Sequence, residues 1–369
     1  MLPSSVLHLT AGLALVALAA GCGRGGGDEQ PLPGHKPAAA ERAGSLTGAG
    51  ATFPYPLFTK WISEREREEP GLRINYQPIG SGGGIRQITE RTVDFGASDA
   101  PMTDEQMAKA KGVVHVPTCL GAVAIAYNLE GVPGGLRLTP EVVAGIFLGA
   151  ITRWDDPAIA EENPGTTLPK QKITAVHRSD GSGTTKLFTE WLAGKSPAWS
   201  HGPGAGMSVA FPSGLGAKGN EGITGQVSST PGAIGYVELV YAVQSKLAYA
   251  AVRNAAGAFV LPTAASMTAA GAGAAAKMPE DLRGSAVDVP NPEAYPIAGF
   301  SYVLLYRKQA DAARGRALVR FLAWAVHEGQ AFAEPLSYAR LPAAVVTRVD
   351  GVLTTIVGPD DQPLLAGKP

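Results

Sequence analysis

Cysteine is nearly missing from this chain: its 369 residues hold two, Cys22 and Cys119. Cys22 lies at the end of an N-terminal leader, so the remainder would keep Cys119 alone, and one thiol cannot close an intrachain disulfide. Cys119 sits in Val116-Pro117-Thr118-Cys119-Leu120 and reads as a buried core residue. Charge of one sign is equally scarce. Thirty-one basic against 32 acidic residues leave a net charge of −1, which excludes field-driven gathering of nucleic acid or coating of an anionic membrane. The six histidines are dispersed without ligand spacing, so neither a metal nor another cofactor is expected. A Walker A sequence is absent, so this chain would not itself hydrolyse ATP. After the leader no apolar run is long enough to span a bilayer, and no internal repeat occurs. Glycine and proline are plentiful, at 47 and 29, as suits short strands alternating with helices.

The most telling stretch is Arg178-Ser179-Asp180-Gly181-Ser182-Gly183-Thr184-Thr185. It joins a strand-like run, Ile173 to His177, to a helix-like run, Lys186 to Leu192. A strand feeding a helix through glycine and small hydroxylated residues leaves unsatisfied N–H groups at the helix start, where the helix dipole also favours an anion. Glycine admits close approach because it has no Cβ. Arg178 adds a planar, permanently charged fork matched to an oxyanion, and Asp180 is near enough in sequence to orient it. An ordinary helix-capping loop would look similar.

Three further segments repeat the theme. Gly48-Ala49-Gly50-Ala51-Thr52-Phe53-Pro54 precedes a helix, with Pro54 suited to its first position and Thr52 and the Phe53 N–H at its start. Gly80-Ser81-Gly82-Gly83-Gly84 precedes Ile85-Arg86-Gln87-Ile88. In Asp94-Phe95-Gly96-Ala97-Ser98-Asp99-Ala100-Pro101, Asp99 ends a short strand.

In this order, the four segments resemble the phosphate-binding protein of bacterial phosphate-specific ABC transporters. The resemblance runs from about Ser45 to about Ala344 and extends to Trp154-Asp155-Asp156-Pro157-Ala158-Ile159-Ala160, Leu215-Gly216-Ala217-Lys218-Gly219-Asn220 and Pro231 to Glu238. It implies a two-lobed α/β periplasmic-binding-protein fold (type II) with two hinge crossings and the ligand in the interlobe cleft. It implies inorganic phosphate held by Thr52, Phe53, Ser81, Asp99, Arg178, Ser182, Gly183 and Thr184, with Asp180 orienting the arginine. The pattern departs at Gly82, where the family has a second serine. The implied role is that of an extracytoplasmic binding protein, not an enzyme, handing phosphate to the permease subunits of an ABC transporter. The protein is expected to be monomeric, without nucleic-acid partners.

Val6 to Ala20 is apolar but short, and it ends in Leu18-Ala19-Ala20-Gly21-Cys22, which looks like a lipoprotein cleavage site. Residues 1–22 thus read as a signal peptide, with Cys22 lipidated as the new N-terminus or the leader cleaved as an ordinary signal. Residues 23–44 are rich in Gly, Pro and Ala without an apolar period and read as a flexible tether. The protein is expected to be exported to the periplasm or the outer face of the cell membrane, touching the membrane only through a lipid anchor.

Alternating strand and helix patterns argue for α/β layers around a mainly parallel sheet. Tyr55 to Glu68 reads as a helix with Leu57, Phe58, Trp61 and Ile62 inward and a solvated charge run from Glu64. Leu72 to Ile79 reads as a strand, Gly84 to Thr92 as a helix, and Thr103-Asp104-Glu105-Gln106 as a capping box. Val113 to Pro117 and Ala122 to Tyr127 read as two strands. Thr139 caps a helix ending before Gly149. Ser301 to Tyr306 reads as a strand and Asp311 to His327 as a helix. The Ala/Gly-rich segment 264–276 is either a disordered insertion or a weak helix on the surface of the second lobe. The family fold places the crossings near Leu120-Gly121 and Tyr295-Pro296, giving one lobe of 45–120 with 296–369 and another of 121–295.

Most groups in the candidate loops donate hydrogen bonds, whereas an ionised Asp99 only accepts. It would favour an anion that brings a proton. Phosphate does so, arsenate is expected to follow, and fully ionised sulfate is expected to be rejected. Two rival readings fit less well. A nucleophile elbow needs Gly-x-Ser-x-Gly, but Asp180 stands two residues before Ser182, and His177 should project away from Arg178. Gly214-Leu215-Gly216-Ala217-Lys218-Gly219 matches a dinucleotide fingerprint literally but follows Phe211-Pro212-Ser213 instead of a clear strand.

Overall fold

A computed structural model describes residues 45–365. The signal peptide 1–22 with Cys22 and the tether 23–44 lie outside the described residues. The chain opens with β1 (Ser45–Gly50), α1 (Tyr55–Glu68), β2 (Arg73–Pro78), α2 (Ser81–Thr89), β3 (Phe95–Ser98) and α3 (Asp104–Lys109), in strict alternation. Helix α1 buries Leu57, Phe58 and Trp61 on one face, as its 3–4-residue apolar spacing requires. Its charged end is less solvated than expected, because Glu64 is buried between Lys60 and Arg67. Helix α3 starts at the expected capping box: Thr103 accepts the Gln106 N–H, and the Gln106 side chain accepts the Thr103 N–H.

The glycines at 82–84 belong to the first turn of α2 and not to a turn before it. Gly80, at φ 89°, is the N-cap. Low helix propensity hides this start from a sequence reading, but packing demands small residues. A Cβ on Gly84 would lie 2.6 Å from both the Ala97 carbonyl oxygen and Gly50 Cα.

β4 (Val113–Tyr127) is one strand of 15 residues where two were expected. Pro117 lacks a donor and suggests a break. The break is absorbed by a bulge in β4 at Thr118: Ser301 faces Cys119, and the next residue, Tyr302, faces Pro117. Then come β5 (Arg137–Leu138), α4 (Pro140–Phe147) capped by Thr139, α5 (Pro157–Ala160), β6 (Thr174–Arg178), α6 (Gly183–Lys195) and α7 (Pro197–His201). β7 (Leu215–Ala217), α8 (Gly219–Ser229), β8 (Ala233–Glu238) and α9 (Leu239–Gln244) follow. Three short strands, β9 (Ala248–Tyr249), β10 (Ala251–Arg253) and β11 (Phe259–Val260), precede α10 (Ala264–Ala275). The chain finishes with β12 (Ala298–Tyr306), α11 (Ala312–Val326) and α12 (Ala343–Thr354).

The main sheet has the order β2-β1-β3-β12-β4-β8-β6-β7. It is mixed, which corrects the mainly parallel sheet expected. β2, β1 and β3 are parallel, and so are β8, β6 and β7, whereas every ladder among β3, β12, β4 and β8 is antiparallel. Two parallel βαβ layers therefore form two lobes, joined by central strands that run out and back. β4 pairs with β12 as far as Ala122 and with β8 from Val123 onward. All nine residues of β12 are buried, as a strand covered on both faces must be.

Helix α10 is capped by Thr263 and Ser266 and buries Met267, Ala270, Gly271 and Ala274. Its small residues let it approach β4 closely, since a Cβ on Gly271 would meet Leu120 Cδ2 at 2.7 Å. Among the described residues, no helix is long and apolar enough to cross a membrane.

The point where β4 changes partners is tightly filled. A Cβ on Gly121 would lie 2.3 Å from the Phe53 ring and 3.0 Å from Glu238 Oε1. Gly121→Ala is therefore expected to destabilise the protein by about 1–3 kcal/mol through overpacking. Urea unfolding checks this, and an unchanged midpoint would contradict it.

Candidate functional site

The sheet topology aims the carboxyl ends of β1, β2, β3, β6 and β7 at one another, and each runs into a helix start. These are the junctions where open α/β sheets bind ligands. The loops touch directly. The Gly82 N–H donates to the Gly181 carbonyl at 2.9 Å. A Cβ on Gly80 would sit 2.4 Å from Asp180 Oδ2, and one on Gly183 would sit 2.6 Å from both Asp99 Cβ and Ser81 Oγ. Glycine at these positions is what lets the loops approach this closely.

Arg178, the last residue of β6, is buried. Its Nε donates to Asp180 Oδ1 at 2.7 Å and its Nη2 to Asp180 Oδ2 at 2.5 Å. This two-pronged pairing holds the guanidinium plane and leaves Nη1 pointing at Thr184 Oγ1, 3.4 Å away. Burial alone would raise the Asp180 carboxyl, but the hydrogen bonds and charge of Arg178, with the Gly219 N–H, outweigh it and hold it below its ordinary value. Asp180 therefore stays ionised.

Ser182 caps α6: its Oγ accepts the Thr185 N–H at 3.0 Å. Gly183 and Thr184 occupy the first turn of that helix, where N–H groups have no partner within the helix. Thr52 lies before α1, whose N-cap is Pro54, one residue earlier than the position expected for that proline. The Thr52 hydroxyl is buried and accepts the Asn220 side-chain amide at 2.8 Å. Phe53 is also fully buried, and its carbonyl accepts the Tyr338 hydroxyl at 2.6 Å.

Asp99 is the outlier among these donors. Its Oδ1 accepts the Ser301 hydroxyl at 2.8 Å and its Oδ2 the Ser81 hydroxyl at 3.3 Å, while its own N–H donates to Ser81 Oγ at 3.2 Å. Burial pushes its carboxyl up to about 7, against the opposing pull of Ser301, Arg178 and Ser81. Near neutral pH this group can therefore either accept or donate a proton. The whole cluster suits a tetrahedral oxyanion that itself carries a proton.

The structure thus gathers Thr52, Ser81, Asp99, Arg178, Asp180, Gly183 and Thr184 into one constellation, with Phe53 and Ser182 adjoining in sequence. His177 faces elsewhere, stacked on Phe211 with ring centroids 4.3 Å apart. Two members escaped the sequence reading. Ser301 lies within the buried strand β12 and carries no loop signal. Asn220 is the second residue of α8 after the short strand β7, directly following the segment 214–219 that literally matches a dinucleotide fingerprint. A fifth strand-to-helix junction there was the available clue.

A family model described as a PBP superfamily domain matches residues 36–328. The chain is 43% identical over 317 residues to a phosphate-binding protein PstS of Xylella fastidiosa, covering 85% of this chain and 86% of the relative. It is 36% identical over 351 residues to a PstS of Methanocaldococcus jannaschii, covering 88% and 89%. Among solved structures, a high-affinity periplasmic phosphate-binding protein bound with phosphate superposes with a TM-score of 0.66 at 22% identity, covering 83% of this chain and 93% of that one. A phosphate-binding protein from Stenotrophomonas maltophilia gives 0.63 at 22%, covering 83% and 92%. At that identity the structural likeness is one of fold, whereas the PstS relatives are alike in sequence over nearly their whole length. The chain belongs to the PstS phosphate-binding protein family.

Proposed function

We propose that this protein captures inorganic phosphate outside the cytoplasm and delivers it to the membrane permease of an ABC importer. The observation that carries the reading is a buried carboxylate, Asp99, set among donors beside a clamped arginine. Thr52, Phe53, Ser81, Arg178, Ser182, Gly183 and Thr184 donate to the ion. Asp99 accepts a hydrogen bond from the proton that phosphate carries. Arg178 supplies one positive charge against Asp99 and Asp180, so oriented dipoles must hold much of the anion's charge. Hydrogen bonds to charged groups are worth roughly 1.5–3 kcal/mol each, enough in number to support sub-micromolar affinity after the costs of association. The role is capture and release, not chemistry on the ligand.

Lobe I comprises 45–120 with 296–369, and lobe II comprises 121–295, hinged near Leu120-Gly121 and Tyr295-Pro296. The change of partner along β4 supports this division. Closure around phosphate would present the permease with a distinct shape. The protein works as a monomer, tethered by a lipid on Cys22. The mass of the mature N-terminus tests the tether, and a peptide lacking the lipid increment would refute it.

Selectivity follows from Asp99. Ionised, it leaves sulfate facing a carboxylate with no shared proton, and discrimination of about 10⁴-fold can arise from such an unpaired buried group. Arsenate, with the same proton count as phosphate, binds. The sign of the pH effect is fixed by the upward displacement to about 7. Above that pH the carboxylate only accepts and sulfate is excluded. As pH falls below it the neutral acid can donate, so sulfate gains affinity while phosphate is retained.

Competition calorimetry with phosphate, arsenate and sulfate on the protein from Ser45 onward tests the function directly. Phosphate and arsenate should bind and sulfate should not at pH 8; equal binding of all three would refute the reading. Asp99→Asn should admit sulfate at every pH, and continued exclusion would rule out the role given to Asp99. Arg178→Ala removes the cation and strands Asp180, so phosphate affinity should fall by about 100-fold or more, corresponding to roughly 3 kcal/mol. A change under threefold would contradict it. Small-angle scattering should register compaction when phosphate is added, and an unchanged radius of gyration would count against hinge closure.

A further inference from the structure

Asn220 makes no sense as a mere helix residue. It is fully buried at the first turn of α8, and both ends of its side-chain amide are committed. The Glu238 N–H donates to Oδ1 at 2.9 Å. A backbone N–H cannot accept, so this contact settles which end of the amide is oxygen. The Nδ2 group must then face the other way, and there it meets Thr52 Oγ1 at 2.8 Å and Thr184 Oγ1 at 3.4 Å. These hydroxyls come from the starts of two different helices, α1 and α6.

A hydroxyl has two lone pairs and one proton. Thr52 Oγ1 accepts from the Asn220 side chain and also from the Asn220 N–H at 3.3 Å. Thr184 Oγ1 accepts from Asn220 Nδ2 and from Arg178 Nη1, each at 3.4 Å. With their lone pairs occupied by obligate donors, both hydroxyls must use their protons elsewhere, as donors. We infer that Asn220 is a positioning residue that fixes the hydroxyl protons of Thr52 and Thr184 toward the bound anion, while tying the start of α1 to the start of α8 across the cleft. This inference rests on the phosphate reading given above. Neither hydroxyl would need to reorient on binding, a preorganisation that raises affinity without adding a contact to the ligand.

A double-mutant cycle tests it, with inorganic phosphate as the probe. Asn220→Leu keeps the volume and removes the donor, and should weaken phosphate binding by about tenfold, as loss of a hydrogen-bond network element does. Thr52→Val removes the hydroxyl that Asn220 orients. If Asn220 acts through the two hydroxyls, Asn220→Leu should weaken the Thr52→Val protein by clearly less than tenfold, about threefold at most, the remainder passing through Thr184. If Asn220 only supports the fold, its loss should be the same in both backgrounds, and additivity of that kind overturns the inference. Should Asn220→Leu fail to fold, as judged by its ligand-free thermal midpoint, Asn220→Ser takes its place in the same cycle, with the same coupled or additive outcomes. A wild type that does not bind phosphate overturns both this inference and the reading beneath it. Additive losses in a protein that does bind phosphate overturn this inference alone.

Discussion

The structure depends on placing a carboxylate where a carboxylate is least welcome. Asp99 is buried at the meeting of two lobes, within reach of Ser81 and Ser301 and in the field of Arg178. Burial penalises its charge and the arginine and hydroxyls restore part of it. That balance leaves the group near its titration point at neutral pH, able to share a proton with a neighbouring polar group. The remainder of the site follows from the need to surround this acid with donors. The Arg178–Asp180 clamp fixes one cation in place, and the helix starts add dipoles that cannot be titrated away.

Glycine governs how closely the donors gather. Gly80, Gly82 and Gly183 lie where the loops of the two lobes touch, and side chains there would meet Asp180, Gly181, Ser81 or Asp99. The mixed sheet sets up that approach. Parallel strands on either flank deliver their helix starts to a shared cleft, and the antiparallel strands β4 and β12 between them carry the chain across and back. The site therefore exists only where the two sets of loops meet.

Much of this was legible in the residues. Strand, small-residue turn and helix start form a local pattern with a local cause, so Thr52, Ser81, Asp99 and Arg178 to Thr184 stand out in sequence. Capping at Thr103 and Thr139 is legible for the same reason. What escaped is what tertiary packing decides. The glycines of α2 read as loop because their propensity is poor, yet they are helical because neighbouring strands leave no room for a Cβ. Pro117 reads as a strand end, yet β4 continues because a bulge at the neighbouring Thr118 takes up the irregularity. The parallel sheet inferred from alternation missed the antiparallel centre, since pairing between distant strands leaves no periodic mark. Ser301 and Asn220 belong to the site through contacts with residues some 200 and 170 positions away, at separations of 202 and 168, which no local pattern encodes.

The central claim is that these distant loops enclose one proton-bearing tetrahedral anion against Asp99. Crystals soaked in arsenate and measured at the arsenic absorption edge test it most directly. The account predicts one dominant anomalous peak in the cleft, with oxygens at hydrogen-bond distance, about 2.5–3.2 Å, from Asp99, Ser81, Thr52 and Arg178. A dominant peak on another face of the molecule, or none in the cleft, would contradict it.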